Sequence, residues 1–391
     1  MYRRWGVVGG LLACSALSNA YMIAPAGVMP SLMAGLSVGP STAGLVASVT
    51  FGVQIVASLP AGVLVDSRDP RRVVAGAALA LAVAGAWGTV AALRGDVVSL
   101  VASRLLGGTA SVVVWTAGVT VIGALFDRSS RGTAVGVFTA GAPAGFALTQ
   151  VGGPVVATEL GWSYVFVVPG ALALVPFAAF WTSSAGTTLG GGAASPPTRT
   201  EFGRVVADAR VLLVSGMAFL AFSLFVLLNS WLPTYLTESL GVPEATGGLV
   251  VALFPAVGVL SRSGGGVVSD RVFDSRRRPV AVLSFLVGAP AAAAIGLTTA
   301  VPAVLALLVV AGFFVQLGMG SFFAYAREVV DPSVAGTAVS LVTGASSFGA
   351  FLAPVVAGWL IEATGAYVAV FVLAAVLGAA GVAVAVRAPE T

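Results

Sequence analysis

The sequence contains no lysine, no histidine and only one cysteine, Cys14, in 391 residues. Without histidine it lacks the side chain that titrates most readily near neutral pH. Any proton-handling step must therefore use one of its 15 carboxylates. A lone cysteine excludes an internal disulfide and leaves no metal-ligand spacing, so no metal or other cofactor is expected. Charge of either sign is also scarce. Asp, Glu, Lys and Arg make up 9% of the chain, against about 25% in an ordinary soluble domain. So few charges cannot cover a water-facing surface, and 58% of the residues are hydrophobic. The bilayer is the solvent that this composition fits.

Apolar stretches dominate what is there. A helix needs about 20 mostly apolar residues to cross the hydrocarbon core, and its backbone groups must be satisfied within it. The stretches are too long for barrel strands of about ten residues. Breaks at clusters of charge, proline and glycine predict helical spans at 5–30, 42–65, 73–93, 97–125, 133–158 and 162–182. Six more follow at 211–236, 245–268, 280–299, 301–326, 336–361 and 364–386. The segment Trp5–Met29 is longer than a signal h-region of about 7–15 residues, so it reads as a span and not as a cleaved leader.

Arginine supplies every cationic side chain, and its placement orients this map. With the N-terminus inside, fifteen of the nineteen arginines fall in inner segments and only Arg94 in an outer loop. Arg104, Arg262 and Arg327 lie within spans or at their ends. This asymmetry predicts a multi-pass protein of the cytoplasmic membrane with both termini cytoplasmic. The arginines form no single basic surface, which argues against nucleic acid as a partner. Residues 183–197 (SSAGTTLGGGAASPP) are small and uncharged and read as a linker. The next stretch, 198–210, reads either as a short amphipathic helix on the membrane surface or as an extension of the seventh span. The expected organisation is a six-helix bundle over 1–182, a cytoplasmic linker over 183–210 and a second six-helix bundle over 211–391.

A shift of 204 residues aligns the chain with itself. Thr42, Gly44, Leu45 and Val46 meet Thr246, Gly248, Leu249 and Val250; Gly62 and Asp66 meet Gly266 and Asp270; Gly108 meets Gly312. Thr139, Gly145 and Gly161 meet Thr343, Gly349 and Gly365. Between 127–166 and 331–370 there are 11 ungapped identities in 40, including Asp, Thr and Gly. Repeats of this kind indicate two bundles rocking about a site.

Both copies end their second span on the same chemistry. In the first, Pro60-Ala61-Gly62 leads to Asp66 and then Arg71-Arg72; in the second, Gly266 leads to Asp270-Arg271 and Arg276-Arg277-Arg278. A carboxylate at a helix C-terminus opposes the helix dipole at a cost of about 0.3–1 kcal/mol, so its repetition points to a compensating partner. This pattern resembles the signature loop of the major facilitator superfamily, and the resemblance covers essentially the whole chain. It implies the fold of that family, all-α with twelve transmembrane helices in two pseudo-symmetric bundles. It also implies a cytoplasmic latch, formed by Gly62, Asp66, Arg71, Arg72, Gly266, Asp270 and Arg271, that holds the outward-facing state. Ser67 stands where the family has arginine, which weakens the first copy.

Arg104 lies in the fourth span, and a charge there costs at least a few kcal/mol unless it faces protein or water. The resemblance implies substrate or proton coupling for it; a tether to backbone carbonyls or snorkelling are the structural alternatives. Arg262, toward the inner end of the eighth span, sits in a stretch similar to that of small-anion carriers, with snorkelling as its alternative. The nitrate branch places an arginine just before the proline at position 60, where this chain has Ser58 and Leu59. In the family, spans one, four, seven and ten face the cavity. That makes Asn19, Tyr21, Trp115, Thr116, Asn229, Trp231, Gln316 and Tyr325 candidate lining residues, each with packing or an interhelical hydrogen bond as its alternative. Glycines along spans five and eleven, among them Gly145 and Gly349, read as packing residues.

No Asp or Glu falls mid-span, whereas a carrier of cationic drugs needs a buried carboxylate. Arginine matches planar anions bidentately. The expected function is therefore transport of a small organic or inorganic anion by alternating access, with a proton or counter-substrate as coupling partner and the chain acting as a monomer. Efflux of neutral hydrophobic compounds is the alternative. An enzyme would need a catalytic constellation, and none is found.

Overall fold

The computed structural model describes residues 2–186, 189, 199–274, 276–331 and 334–390. Most of the expected linker, 187–188 and 190–197, lies outside the described residues. Every regular element among the described residues is helical. The first half comprises α1 (Tyr2–Ile23), α2 (Met29–Leu36), α3 (Pro40–Ser67), α4 (Pro70–Leu93), α5 (Val97–Leu125), α6 (Arg128–Thr139), α7 (Gly141–Glu159), α8 (Val167–Leu172) and α9 (Leu174–Ser184). The second comprises α10 (Arg199–Ala207), α11 (Ala209–Glu238), α12 (Glu244–Val272), α13 (Arg277–Ala294), α14 (Val301–Met319), α15 (Phe322–Glu328), α16 (Ala335–Thr364) and α17 (Val368–Arg387). Taken singly or joined across short breaks, they form twelve stretches long and apolar enough to cross a membrane.

Helix starts follow from backbone chemistry. Asp69, Asp96 and Asp208 accept hydrogen bonds from the backbone N–H groups of Arg71 (2.9 Å), Ser99 (2.9 Å) and Arg210 (2.8 Å). Each carboxylate thereby satisfies one of the donors a helix leaves unpaired at its N-terminus. Pro40 and Pro70 occupy first-turn positions, where the missing N–H costs nothing. The Asp208 cap makes α10 a helix of its own, so residues 199–207 do not extend the seventh span.

Four spans are interrupted where the sequence reading has continuous helix. α1 gives way to a 3-10 turn at Ala24–Val28 and resumes as α2, so the first span runs from Arg4 to Leu36 and not 5–30. Pro25 explains the break, because it has no N–H to donate to the carbonyl of Tyr21. The fifth span is α6 and α7 meeting at Ala140. The sixth opens as a 3-10 turn, Trp162–Val165, before α8 and α9. The tenth breaks between α14 and α15.

Contacts divide the chain into two units. One contains Met1–Gly39 and Val46–Ala194; the other contains Pro40–Leu45 and Ser195–Thr391. Within each, the 204-residue repeat has a physical basis. A Cβ on Gly108 would lie 2.6 Å from the carbonyl oxygen of Thr50, and one on Gly312 would lie 2.7 Å from that of Phe254. Thr50 and Phe254 are themselves 204 residues apart. Likewise Gly145 abuts the Ala16 carbonyl and Asn19, while Gly349 abuts the Phe219 carbonyl and Ser223, the repeat mate of Asn19. Glycine recurs at these positions because each bundle passes one backbone against another there.

Candidate functional site

The two span arginines occupy opposite environments. Arg104, on α5, is fully buried in the first unit. Its Nη1 donates to the Tyr21 carbonyl at 2.6 Å and its Nε to the Val46 carbonyl at 3.2 Å. Its Nη2 donates to the carbonyls of Met22 and Ala47. The Tyr21 ring lies 4.9 Å from the guanidinium carbon and the Phe166 ring 5.7 Å, both within cation–π range. The logic is local. Tyr21 and Met22 end α1, where carbonyls lack helical partners, and Pro25 removes the donor that Tyr21 would otherwise have. A cation at this C-terminus also complements the helix dipole. Arg104 thus caps α1 and ties it to α3.

Arg262, on α12 of the second unit, lies ten residues, about 15 Å of helix, before the end of that helix at Val272. Its Nε donates to Gln316 Oε1 at 3.2 Å. Its guanidinium carbon stands 4.8 Å from the centroid of Phe225 on α11, and Phe225 in turn stacks on Phe254 at 5.8 Å. Nη2 is buried and has no acceptor among the described residues. Gln316, on α14, is fully buried and donates from Nε2 to the carbonyls of Phe254 (2.7 Å) and Gly312 (3.0 Å). Gly258 leaves the room its amide fills, since a Cβ there would overlap it. The result is a closed cluster of Arg262, Gln316, Phe254 and Phe225 holding one charged donor in reserve.

Among the other candidate residues, the structure brings Tyr21 to Arg104 and Gln316 to Arg262. The Tyr21 hydroxyl donates to the Ser103 carbonyl at 3.3 Å. Asn19 and Asn229 donate to carbonyls one turn back on their own helices, Ser15 and Phe225. Trp231 is fully buried and donates to the Pro354 carbonyl at 3.0 Å, and Tyr325 donates to the Pro389 carbonyl. Trp115 packs on Phe138, with ring centroids 5.3 Å apart, and Thr116 donates to the Val112 carbonyl. Neither Phe225 nor Phe254 stands among the sequence candidates. A signal existed for Phe225, because it is the repeat mate of Tyr21, 204 residues on.

In the first loop motif, Arg71 donates to the Ser184 carbonyl at the end of α9, while Gly62 is half-buried and Asp66 and Arg72 are exposed. In the second copy, Gly266 and Asp270 lie on α12, with the Asp270 side chain outside the described residues, and Arg271 is exposed.

The major facilitator superfamily model matches residues 9–336 and 213–391. The chain is 27% identical over 305 residues to the 3-(3-hydroxy-phenyl)propionate transporter of Escherichia coli (strain K12), covering 77% of this chain and 73% of that one. It is 25% identical over 267 residues to the nitrite extrusion protein of Bacillus subtilis (strain 168), covering 65% of this chain and 62% of that one. Among solved structures, a bacterial homolog to the human lysosomal transporter Spinster, in an inward-facing and occupied conformation, superposes with a TM-score of 0.76. That pair shares 19% identity, with 99% of this chain and 94% of the other covered, which speaks to the fold. Twelve apolar spans, a glycine-stitched internal repeat and a family match along the chain converge: it is a multi-pass membrane protein belonging to the major facilitator superfamily of transporters.

Proposed function

We propose that this protein is a secondary transporter that moves a small anion across the cytoplasmic membrane by alternating access, with Arg262 as the anchor for the substrate's negative charge. The observation that carries this reading is the unmet Nη2 donor of Arg262. A buried charged donor without an acceptor costs upward of about 1–3 kcal/mol, and an incoming anion removes that cost. Arg104, whose three nitrogens each donate to backbone carbonyls, serves as a tether. Similarity to a 3-(3-hydroxy-phenyl)propionate transporter and to a nitrite extrusion protein, both handling anions, supports an anion as the cargo. The arginine asymmetry supports cytoplasmic termini. The motif residues Gly62, Asp66, Arg71 and Arg72, with Gly266, Asp270 and Arg271, then form the cytoplasmic latch, and the chain works as a monomer coupled to a proton or counter-anion.

Uptake of labelled anions into liposomes holding the purified protein tests this. Arg262→Ala is expected to lower uptake at least tenfold while the variant stays folded. Unchanged uptake by Arg262→Ala would sink the anchor role. Failure of every anion, together with export of neutral hydrophobic compounds, would replace the anion reading with efflux.

A further inference from the structure

We propose that residues 388–390 form a strap that pins α15 to the start of α13, and that its release lets α15 swing about Gly320 and opens the approach to Arg262 from the loop side. All the elements involved lie in the second unit, and the inference holds whatever the cargo.

The tenth span is built to bend where it meets the proposed anchor. α14 ends at Met319, and the Ser321 N–H turns back to the Gly318 carbonyl at 3.0 Å instead of continuing the α-helical ladder. A Cβ on Gly320 would overlap the Arg262 carbonyl, so the break is seated on the residue that carries the anchor. Short breaks at the ends of elements absorb the backbone rotations of a hinge. Beyond this one, α15 has only seven residues, too few for a helix that is stable by itself. Its Phe323 meets Phe222 edge-on, one turn along α11 from Phe225 beneath Arg262. α15 therefore fills the layer between Arg262 and the loops.

Three polar contacts close on this segment. Arg277, the first residue of α13, grips Glu328, the last of α15, through Nε at 3.1 Å and Nη2 at 3.0 Å. Arg278 beside it donates to Glu390 at 3.4 Å. Tyr325, one turn before Glu328, donates its hydroxyl to the Pro389 carbonyl. Between α17 and these contacts the chain turns extended at Ala388, which is buried. Neighbouring arginines thus hold α15 twice, once directly and once through the tail, in a closed ring. The Arg278 and Glu390 side chains are 31% and 50% exposed, and ion pairs as exposed as this are weak enough to release.

Labelling of a buried cysteine tests the strap without any ligand. With Cys14 replaced by alanine, Ala326→Cys on α15 reports the swing and Ala281→Cys on α13 is the stationary control; both positions are fully buried. In purified full-length protein, Tyr325→Phe combined with Glu390→Gln is expected to speed maleimide labelling at position 326 at least fivefold and to leave position 281 unchanged. Arg278→Glu alone is expected to speed it as well, and adding Glu390→Arg to restore the parent rate. Salt gives the same readout without altering the strap. Raising it from about 0.05 M to about 0.5 M screens exposed pairs and is expected to speed labelling at position 326 alone. Labelling there that ignores both the substitutions and salt would overturn the strap. Equal acceleration at both positions would overturn it too, because the bundle would then be loosening as a whole. No anion enters the measurement, so either failure leaves the anion reading intact.

Discussion

At the residue scale, two arginines of identical chemistry differ in what their donors meet, which is the basis for proposing a structural role for one and a ligand-binding role for the other. Arg104 stands in for a hydrogen bond that Pro25 cannot make and holds α1 to α3. Arg262 keeps a donor unsatisfied. Stability measurements should separate them. Arg104→Ala leaves buried carbonyls of Tyr21 and Met22 unpaired and is expected to cost at least about 2 kcal/mol, read as a lower melting temperature in detergent. Arg262→Ala removes an unmet charged donor and is expected to leave the melting temperature unchanged or raised, the pattern of a site that gives up stability for function. Equal losses in the two variants would argue that both are structural. The sequence marked both positions as charged sites within spans but could not rank them. The difference lies in carbonyls of helices distant in the chain, and those contacts exist only once the bundle has formed.

At the scale of elements, caps and proline govern where helices begin, and these were readable from local chemistry. Charged and glycine-rich breaks locate all twelve spans to within a few residues at most ends. The interruptions were less legible. Pro25 breaks α1, yet Pro60, Pro233, Pro255 and Pro354 sit inside continuous helices. Neighbouring helices can satisfy a freed carbonyl, so a proline's effect depends on packing and not on the residue alone. The start of α11 offers a clean test. Asp208 accepts from the Arg210 backbone and pairs with its guanidinium at 2.8 Å. That hydrogen-bonded side chain holds the Asp208 carboxyl below the usual carboxylate range. A depressed carboxyl stabilises the fold above its unfolded value of about 3.9, and this contribution is lost as pH falls through the folded value. Asp208→Ala is expected to cost about 0.5–2 kcal/mol near neutral pH, with the gap from the parent protein closing in acid. A pH-independent difference in thermal unfolding would contradict the cap as its source.

At the scale of the whole molecule, the 204-residue repeat was visible in the sequence because packing glycines cannot drift. Gly108 and Gly312, and Gly145 and Gly349, each admit a backbone where a methyl group would collide. Orientation is a separate matter, and the arginine census makes it measurable. With buried Cys14 replaced by alanine, a cysteine at Arg94 is expected to react with an impermeant maleimide added to intact cells. A cysteine at Arg204 is expected to react only after the cells are opened. The reverse pattern would invert the topology.

The repeat also places Tyr21 and Phe225 at equivalent positions, and each lies beneath an arginine drawn from a different helix: Arg104 from α5 and Arg262 from α12. An ancestral duplication would have supplied two aromatic platforms where one sufficed. Should the proposed anchor role of Arg262 hold, the platform under Arg104 is bound by packing and the one under Arg262 is open to change, so natural variants with altered cargo are expected to vary around Phe225 and to keep Tyr21.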